Sequence, residues 1–215
     1  MKIEKSLLVL FAFAASVASC MAQRISCGAP QTKSDLLRVL AGKSAMGQQW
    51  NIKDHQARVY LISFVQTVPD TAPTDSRTQS LSLASMAHQY SGALSILVDS
   101  SALKTNRTPN ADELLNAWHD WSLDNVVLLS DPEGDIRRTF GVCDALDTFI
   151  LRSDGAILEH WKSLVPTGML ALAVERALPD EAAALHAARV KKETGCYGVK
   201  TTTNVSLERG NVCVW

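Results

Sequence analysis

The chain has 215 residues, 47% of them hydrophobic and 20% charged, the balance of a folded domain able to bury a sizeable core. A formal net charge of −1 without basic clusters argues against nucleic acid as a partner, because phosphate binding rests on concentrated Lys and Arg. No internal repeat or low-complexity segment is present, so one domain with decorations is expected.

The first elements form an address. Lys2 and Lys5 make a positive start, Leu7 to Ala15 an apolar stretch too short to span a bilayer, and Val17-Ala18-Ser19-Cys20 a close of small residues before a cysteine. The tetrapeptide resembles a bacterial lipobox, which implies a signal peptide over 1–19 and a diacylated, membrane-tethered Cys20. Ordinary secretion, with cleavage near Ala22-Gln23, is the competing reading; the thiol at the new N-terminus favours the anchor. Either way the mature chain works outside the cytoplasm, where disulfides persist.

Beyond Cys20 the thiols are Cys27, Cys143, Cys196 and Cys213, and four thiols allow three pairings. Cys196 with Cys213 is the favoured pair, since they bracket roughly 16 residues that read as a small hairpin, and closing such a loop is worth about 3 kcal/mol. Cys27 then meets Cys143 by elimination.

In chain order, a leader gives way to a short helix from Ser34 to Leu40, with Ser34 as N-cap and Gly42 just past its end. A weak strand, Met46 to Ile52, and a polar turn, Lys53 to Gln56, follow. Val59-Tyr60-Leu61-Ile62-Ser63-Phe64-Val65 is a nearly continuous apolar run, as a strand covered on both faces requires. Gln66 to Asp75 is a loop. The helix after it, Ser76 to Tyr90, puts Leu83, Met86, Ala87 and Tyr90 on one face. Ala93 to Val98 is a second buried strand and Asp99 to Pro109 a polar loop. Asn110 begins a helix in a capping-box arrangement with Glu113, whose Leu114, Leu115, Trp118 and Trp121 form a core stripe.

Val126-Val127-Leu128-Leu129 is a third buried strand. Ser130 to Gly134 is a turn, and a short helix ends at Phe140-Gly141-Val142. Asp147 to Leu151 and Ala156 to Trp161 are strands joined at Ser153-Asp154-Gly155, where Asp-Gly between apolar runs marks a hairpin. Thr167 to Leu178 is an apolar helix ended by Pro179, and Asp180 to Glu193 an Ala-rich helix. Tyr197 to Trp215 reads as an appended hairpin. Strand, helix, strand, helix, strand, short helix, hairpin, helix is an α/β order: crossovers force parallel neighbours and the hairpin adds an antiparallel edge.

From about Gly47 to Leu178 these residues resemble the thioredoxin-like superfamily, in its redoxin branch of extracytoplasmic thiol-disulfide oxidoreductases and peroxiredoxin-related proteins. Gly47-Gln48-Gln49-Trp50-Asn51-Ile52 before Val59 to Phe64 is similar to the opening hairpin and first central strand. Asp131-Pro132-Glu133-Gly134, Phe140-Gly141-Val142, Asp147 to Leu151 and Asp154-Gly155 are similar to the closing half. The resemblance implies an α/β fold, a thioredoxin-like mixed sheet flanked by helices. The expected plan is a signal peptide at 1–19, a lipid-anchored leader and short helix at 20–45, the redoxin domain at 46–178, and a helix with a disulfide-closed hairpin tail at 179–215.

That family's chemistry lies in two loops, and this chain departs from both. Where the resemblance implies Cys-x-x-Cys at a helix N-terminus, the matching positions are Pro69-Asp70-Thr71-Ala72, with Pro69 and Ala72 in place of the two cysteines. Where it implies a cis-proline, the matching position is Leu146, so a trans, differently shaped loop is expected. Cys143, three residues earlier, falls near the old active face. It is either a relocated redox thiol that pairs reversibly with Cys27, or a structural residue, being one end of a bridge that ties down the N-terminal leader or a buried free thiol; the structural role is favoured.

His55, His88, His119, His160 and His186 show no metal-ligand spacing, and Asp131, Asp135, Asp144 and Asp147 fit turn and capping duties. No metal site or cofactor is implied. The leading functional expectation is a degenerate redoxin-fold protein of the cell envelope that binds a partner envelope protein through loops Gln66 to Ser76 and Gly141 to Leu146. An atypical thiol-disulfide oxidoreductase using Cys143 with Cys27 is the alternative, and docking through the Cys196 to Cys213 tail is a third.

Overall fold

The computed structural model describes residues 30, 32–68, 74–105 and 107–193. The expected signal segment, Cys20, Cys27, the positions Pro69 to Ala72, and the Cys196 to Cys213 hairpin lie outside the described residues.

Five strands form the main sheet: β3 (Val59–Val65), β4 (Ala93–Asp99), β5 (Val126–Leu129), β6 (Thr148–Arg152) and β7 (Ile157–Trp161). They lie side by side as β5-β4-β3-β6-β7. β3, β4 and β5 are parallel, while β6 is antiparallel to both β3 and β7, so the sheet is mixed. The parallel neighbours are joined by α2 (Thr74–Gln89) and by α3 (Ala102–Thr105) with α4 (Ala111–Asp120). α5 (Asp135–Phe140) leads into β6, and α6 (Thr167–Ala177) and α7 (Pro179–Glu193) follow β7.

Every residue of β3 is buried, and its alternation divides the core. Val59, Leu61 and Val65 point into one cluster with Leu83 and Met86 of α2, Leu114 and Trp121 at α4, and Leu170 and Val174 of α6. Tyr60, Ile62 and Phe64 point into the other, with Ile136 and Phe140 of α5 and Leu36 and Leu40 from the N-terminal helix. A two-residue side-chain period makes this unavoidable once both faces are covered. Phe64, Phe140 and Phe149 meet edge to face at centroid distances of 5.1–6.1 Å, the geometry aromatic quadrupoles favour.

The sheet's two edges are finished differently. β1 (Ala41–Lys43) pairs with β2 (Gln49–Asn51) in a separate small antiparallel sheet, and the chain leaving β1 closes the β5 edge. Ala45 N–H donates to the Leu128 carbonyl at 2.8 Å, and Ser130 N–H to the Lys43 carbonyl at 3.0 Å. At the opposite edge, β7 meets β6 with a register shift at Ile150/Leu151; such an irregularity discourages pairing with a further strand.

Local signals hold in part. The capping box is complete: Asn110 Oδ1 accepts from Glu113 N–H, and Glu113 Oε2 accepts from Asn110 N–H, both at 2.9 Å. Gly155 has φ +82°, and a Cβ there would collide with the Lys33 carbonyl oxygen, so the hairpin turn requires glycine. Other expectations are corrected. The first helix, α1 (Lys33–Val39), starts earlier than expected, with Thr32 rather than Ser34 as its N-cap. The weak strand shrinks to β2 and pairs with β1, which lacks any apolar signal of its own. α2 begins at Thr74. The polar loop after β4 contains the one-turn α3. Pro179 opens α7, where a missing N–H costs nothing, rather than merely ending α6. Among the described residues, no helix is long and apolar enough to cross a membrane.

Candidate functional site

Parallel strands deliver their C-terminal ends to one rim of the sheet, which is where open α/β folds place ligands. β3 and β4 end in register, Val65 opposite Asp99. Each is followed directly by polar residues: Gln66 and Thr67 after β3, Ser100 and Ser101 after β4.

These residues form one buried network. The Asp99 side chain is 1% exposed. Its Oδ1 accepts from Thr67 Oγ1–H at 2.7 Å, from Ser101 Oγ–H at 2.6 Å and from Ser101 N–H at 3.3 Å. Ser101 Oγ in turn accepts from the backbone N–H groups of Thr67 at 2.9 Å and Val68 at 3.3 Å. Ser100 donates through N–H and Oγ–H to the Val65 carbonyl, at 2.8 and 3.1 Å. One carboxylate oxygen thus ties together the exits of two strands, while Asp99 Oδ2 has no hydrogen-bond partner among the described residues. Burial pushes the Asp99 pKa up, and the hydroxyl and amide donors oppose that rise.

α2 presents a polar face to the same rim. Ser76 Oγ accepts from Gln66 N–H at 3.1 Å, and Ser80 Oγ–H donates to the Ser76 carbonyl at 2.7 Å. Gln79 Oε1 accepts from Val165 N–H at 2.8 Å, fastening α2 to the segment before α6. The amide nitrogens Gln66 Nε2 and Gln79 Nε2 are buried without acceptors among the described residues.

The second loop lies on the other side of β3. Leu146 N–H donates to the Phe64 carbonyl at 2.6 Å, and Phe64 N–H donates to the Asp147 carbonyl at 3.0 Å. The two hydrogen bonds zip this loop onto the last turn of the strand. Ser63 and Thr148 share a hydroxyl hydrogen bond of 2.8 Å one pair further along. The described residues contain no cis peptide bond; Leu146 instead takes φ +76°. A bulky L-residue held there stores about 1–3 kcal/mol of backbone strain.

Cys143, half-buried at the start of this loop, is disulfide-bonded, and its partner lies outside the described residues. The loop ends at Asp147, 4% exposed, whose Oδ2 stands 3.6 Å from His160 Nε2 on β7. The His160 ring stacks on Phe149 at 4.0 Å and 9°. Burial raises the Asp147 pKa, against the pull of His160 and Lys162. Asp99 and Asp147 therefore flank the end of β3, separated by two strand spacings, about 9–10 Å.

Asp131 serves α5, as capping predicts: its two oxygens accept from Ile136 N–H at 3.1 Å and Arg137 N–H at 3.0 Å. Among the described residues no group of His, Cys, Asp or Glu could hold a metal. The rim offers hydroxyls, amides and two carboxylates. A hydroxyl neither ionises near neutral pH nor exchanges with disulfides, so these groups can bind and position but cannot do thiol chemistry.

Sequence reasoning missed the Asp99, Thr67 and Ser101 network and the pairing of Asp147 with His160. The signal for the first was present: two largely apolar runs break into hydroxyl, amide and carboxyl side chains at the same depth.

No family model and no curated protein matches the chain. Among solved structures it is similar to a secreted Mycobacterium tuberculosis disulfide oxidoreductase homologous to E. coli DsbE. The TM-score is 0.54 at 13% identity over 67% of this chain and 99% of that one. A thioredoxin-like protein from Aeropyrum pernix gives 0.52 at 11% identity over 77% and 98%. A cysteine-to-serine mutant of Xanthomonas campestris peroxiredoxin Q gives 0.51 at 19% identity over 68% and 93%. Together with the mixed five-stranded sheet flanked by helices, these matches establish a thioredoxin-like fold.

Proposed function

We propose that this redoxin-fold chain is a cell-envelope protein that works as a binding scaffold and not by dithiol exchange. The observation that carries the reading is the buried Asp99, Thr67 and Ser101 network at the exits of β3 and β4. It spends its hydroxyls on bracing the rim, and the chain has no cysteine between Cys27 and Cys143. Two of the similar structures are a disulfide oxidoreductase and a peroxiredoxin; in this chain the positions that the sequence resemblance matches to the Cys-x-x-Cys are Pro69 and Ala72. The partner is another envelope protein, met at the loops following β3 and preceding β6. Cys20 carries the lipid that holds the chain at the membrane, and the Cys196 to Cys213 bridge closes the tail.

A second reading rests on the Cys143 disulfide, placed at the head of the strained Leu146 loop. In it, Cys143 and Cys27 form a reversible redox pair. Equilibrating the protein with glutathione buffers and counting free thiols at Cys143 separates the two. A bridge that stays closed in a cytosol-like buffer, with no disulfide reductase turnover, supports the scaffold. A potential above the glutathione poise, together with turnover lost in Cys143→Ser, would replace it with the enzyme. For the anchor, Cys20→Ala should move the protein out of the membrane fraction; unchanged attachment refutes the lipid assignment.

A further inference from the structure

At the N-terminal end of β3, the end away from the rim, lies an open cavity of about 630 Å³. That volume is within the range of pockets for small organic ligands, about 300–1,000 Å³. Its floor is apolar, made by Leu37 of α1, Ile52, Ala57 and the Tyr60 ring. Its mouth carries Arg38, Lys53 and His55, and no acidic side chain lines it among the described residues.

The three cationic or protonatable groups differ in how they are engaged. Arg38 is already paired with Asp35 at 2.9 Å. The Lys53 ammonium and the His55 ring have no acidic partner among the described residues. His55 is held in place all the same: its ring stacks on Trp50 at 5.0 Å and 16°, and its backbone carbonyl accepts from the Tyr60 hydroxyl at 3.2 Å. A fixed imidazole beside an uncompensated ammonium, above an apolar floor, matches a molecule with a negative head and an apolar body. Ser34 and Ser153 also line the cavity and offer hydroxyl groups to the head.

We propose that this cavity binds a small amphipathic carboxylate, its carboxylate facing Lys53 and His55 and its apolar body lying on Ile52, Ala57 and Tyr60. The assignment does not depend on whether the chain is a scaffold or an oxidoreductase, since the cavity and the rim lie at opposite ends of β3.

The test follows the backbone amide signals of Ala57, Tyr60 and Ser153 in the isotope-labelled full chain during titration with three probes. These are phenylbutyrate, its neutral amide phenylbutanamide, and inorganic phosphate. Saturable shifts with phenylbutyrate, and binding about tenfold weaker for either other probe, are expected. The double variant Lys53→Met, His55→Phe, which keeps a ring to stack on Trp50, should weaken phenylbutyrate binding by a similar factor and leave the unfolding midpoint unchanged. The proposal is overturned by phenylbutanamide binding as tightly as phenylbutyrate, by phosphate alone binding as well, by undiminished binding in the double variant, or by shifts that do not saturate. The comparison of probes needs no variant, so it stands if the double variant fails to fold.

Discussion

At its C-terminal end β3 runs into a buried network in which one Asp99 oxygen collects three donors. At its N-terminal end it runs into an open cavity where Lys53 and His55 face no acid among the described residues. Each end is polar, yet the chemistry differs because desolvation differs. Buried polar groups must be satisfied internally or they cost 1–3 kcal/mol each. Exposed ones stay solvated until something displaces the water. The rim therefore contributes to stability and shape, while the cavity leaves its charges available to a ligand.

Variants can break that contrast. The largest effect is expected for Asp99→Ala, which strands the Thr67 and Ser101 donors and should cost about 3 kcal/mol in urea unfolding. A loss below about 1 kcal/mol would show that water replaces the carboxylate, and the rim would then not be a braced structure. Ser101→Ala removes the acceptor for two backbone N–H groups and one donor to Asp99, and should cost about 2 kcal/mol.

Asp99→Asn sharpens the comparison through its sign. Asn can keep the Oδ1 acceptor and removes a buried charge, so near neutral pH it should cost far less than the Ala change. Burial raises the folded-state pKa of Asp99 above its unfolded value. The folded protein thus binds more protons between the two, and the wild-type Asp99 contribution grows as pH falls through the raised value toward the ordinary one. Asp131 and Asp147 are shifted the same way, so the wild type minus Asn difference isolates Asp99. That difference should fall as pH rises from about 4 to the raised pKa, and should be flat on either side of that window. A difference independent of pH would show that Asp99 is not desolvated.

Leu146→Gly tests the second loop. Glycine takes φ +76° freely, and relief of strain should offset its extra unfolded-state entropy, leaving a net change within about 1 kcal/mol. A much larger loss would mean that Leu146 packing, and not its backbone, holds the loop. The smallest stability effect is expected at Lys53 and His55, where substitution should leave the urea midpoint in place and alter only ligand binding.

The fold was legible where one physical constraint dominates. The nearly continuous apolar run of β3 and the run in β4 announce strands covered on both faces. Asn110 with Glu113, and Asp154-Gly155 between apolar runs, act over a few residues and appear as expected. β1 was invisible because Ala41-Gly42-Lys43 has no strand character until Gln49–Asn51 lies alongside. The polar burial at the start of α2 was invisible for a related reason. Ser76, Gln79 and Ser80 carry no apolar signal, and only the backbone N–H groups of Gln66 and Val165, packed against Ser76 and Gln79, favour burial there.

The order of strands and crossovers, the division of the core by β3, and the lack of a thiol between residues 27 and 143 were all written in the linear chain, because periodicity and residue identity are local properties. The meeting of Thr67 with Asp99 across 32 positions, and of Asp147 with His160 across the hairpin, came only with folding. So did the cavity that gathers α1, the turn after β2 and Ser153. Desolvation, which decides whether a polar side chain braces the protein or waits for a ligand, depends on neighbours that are distant in sequence.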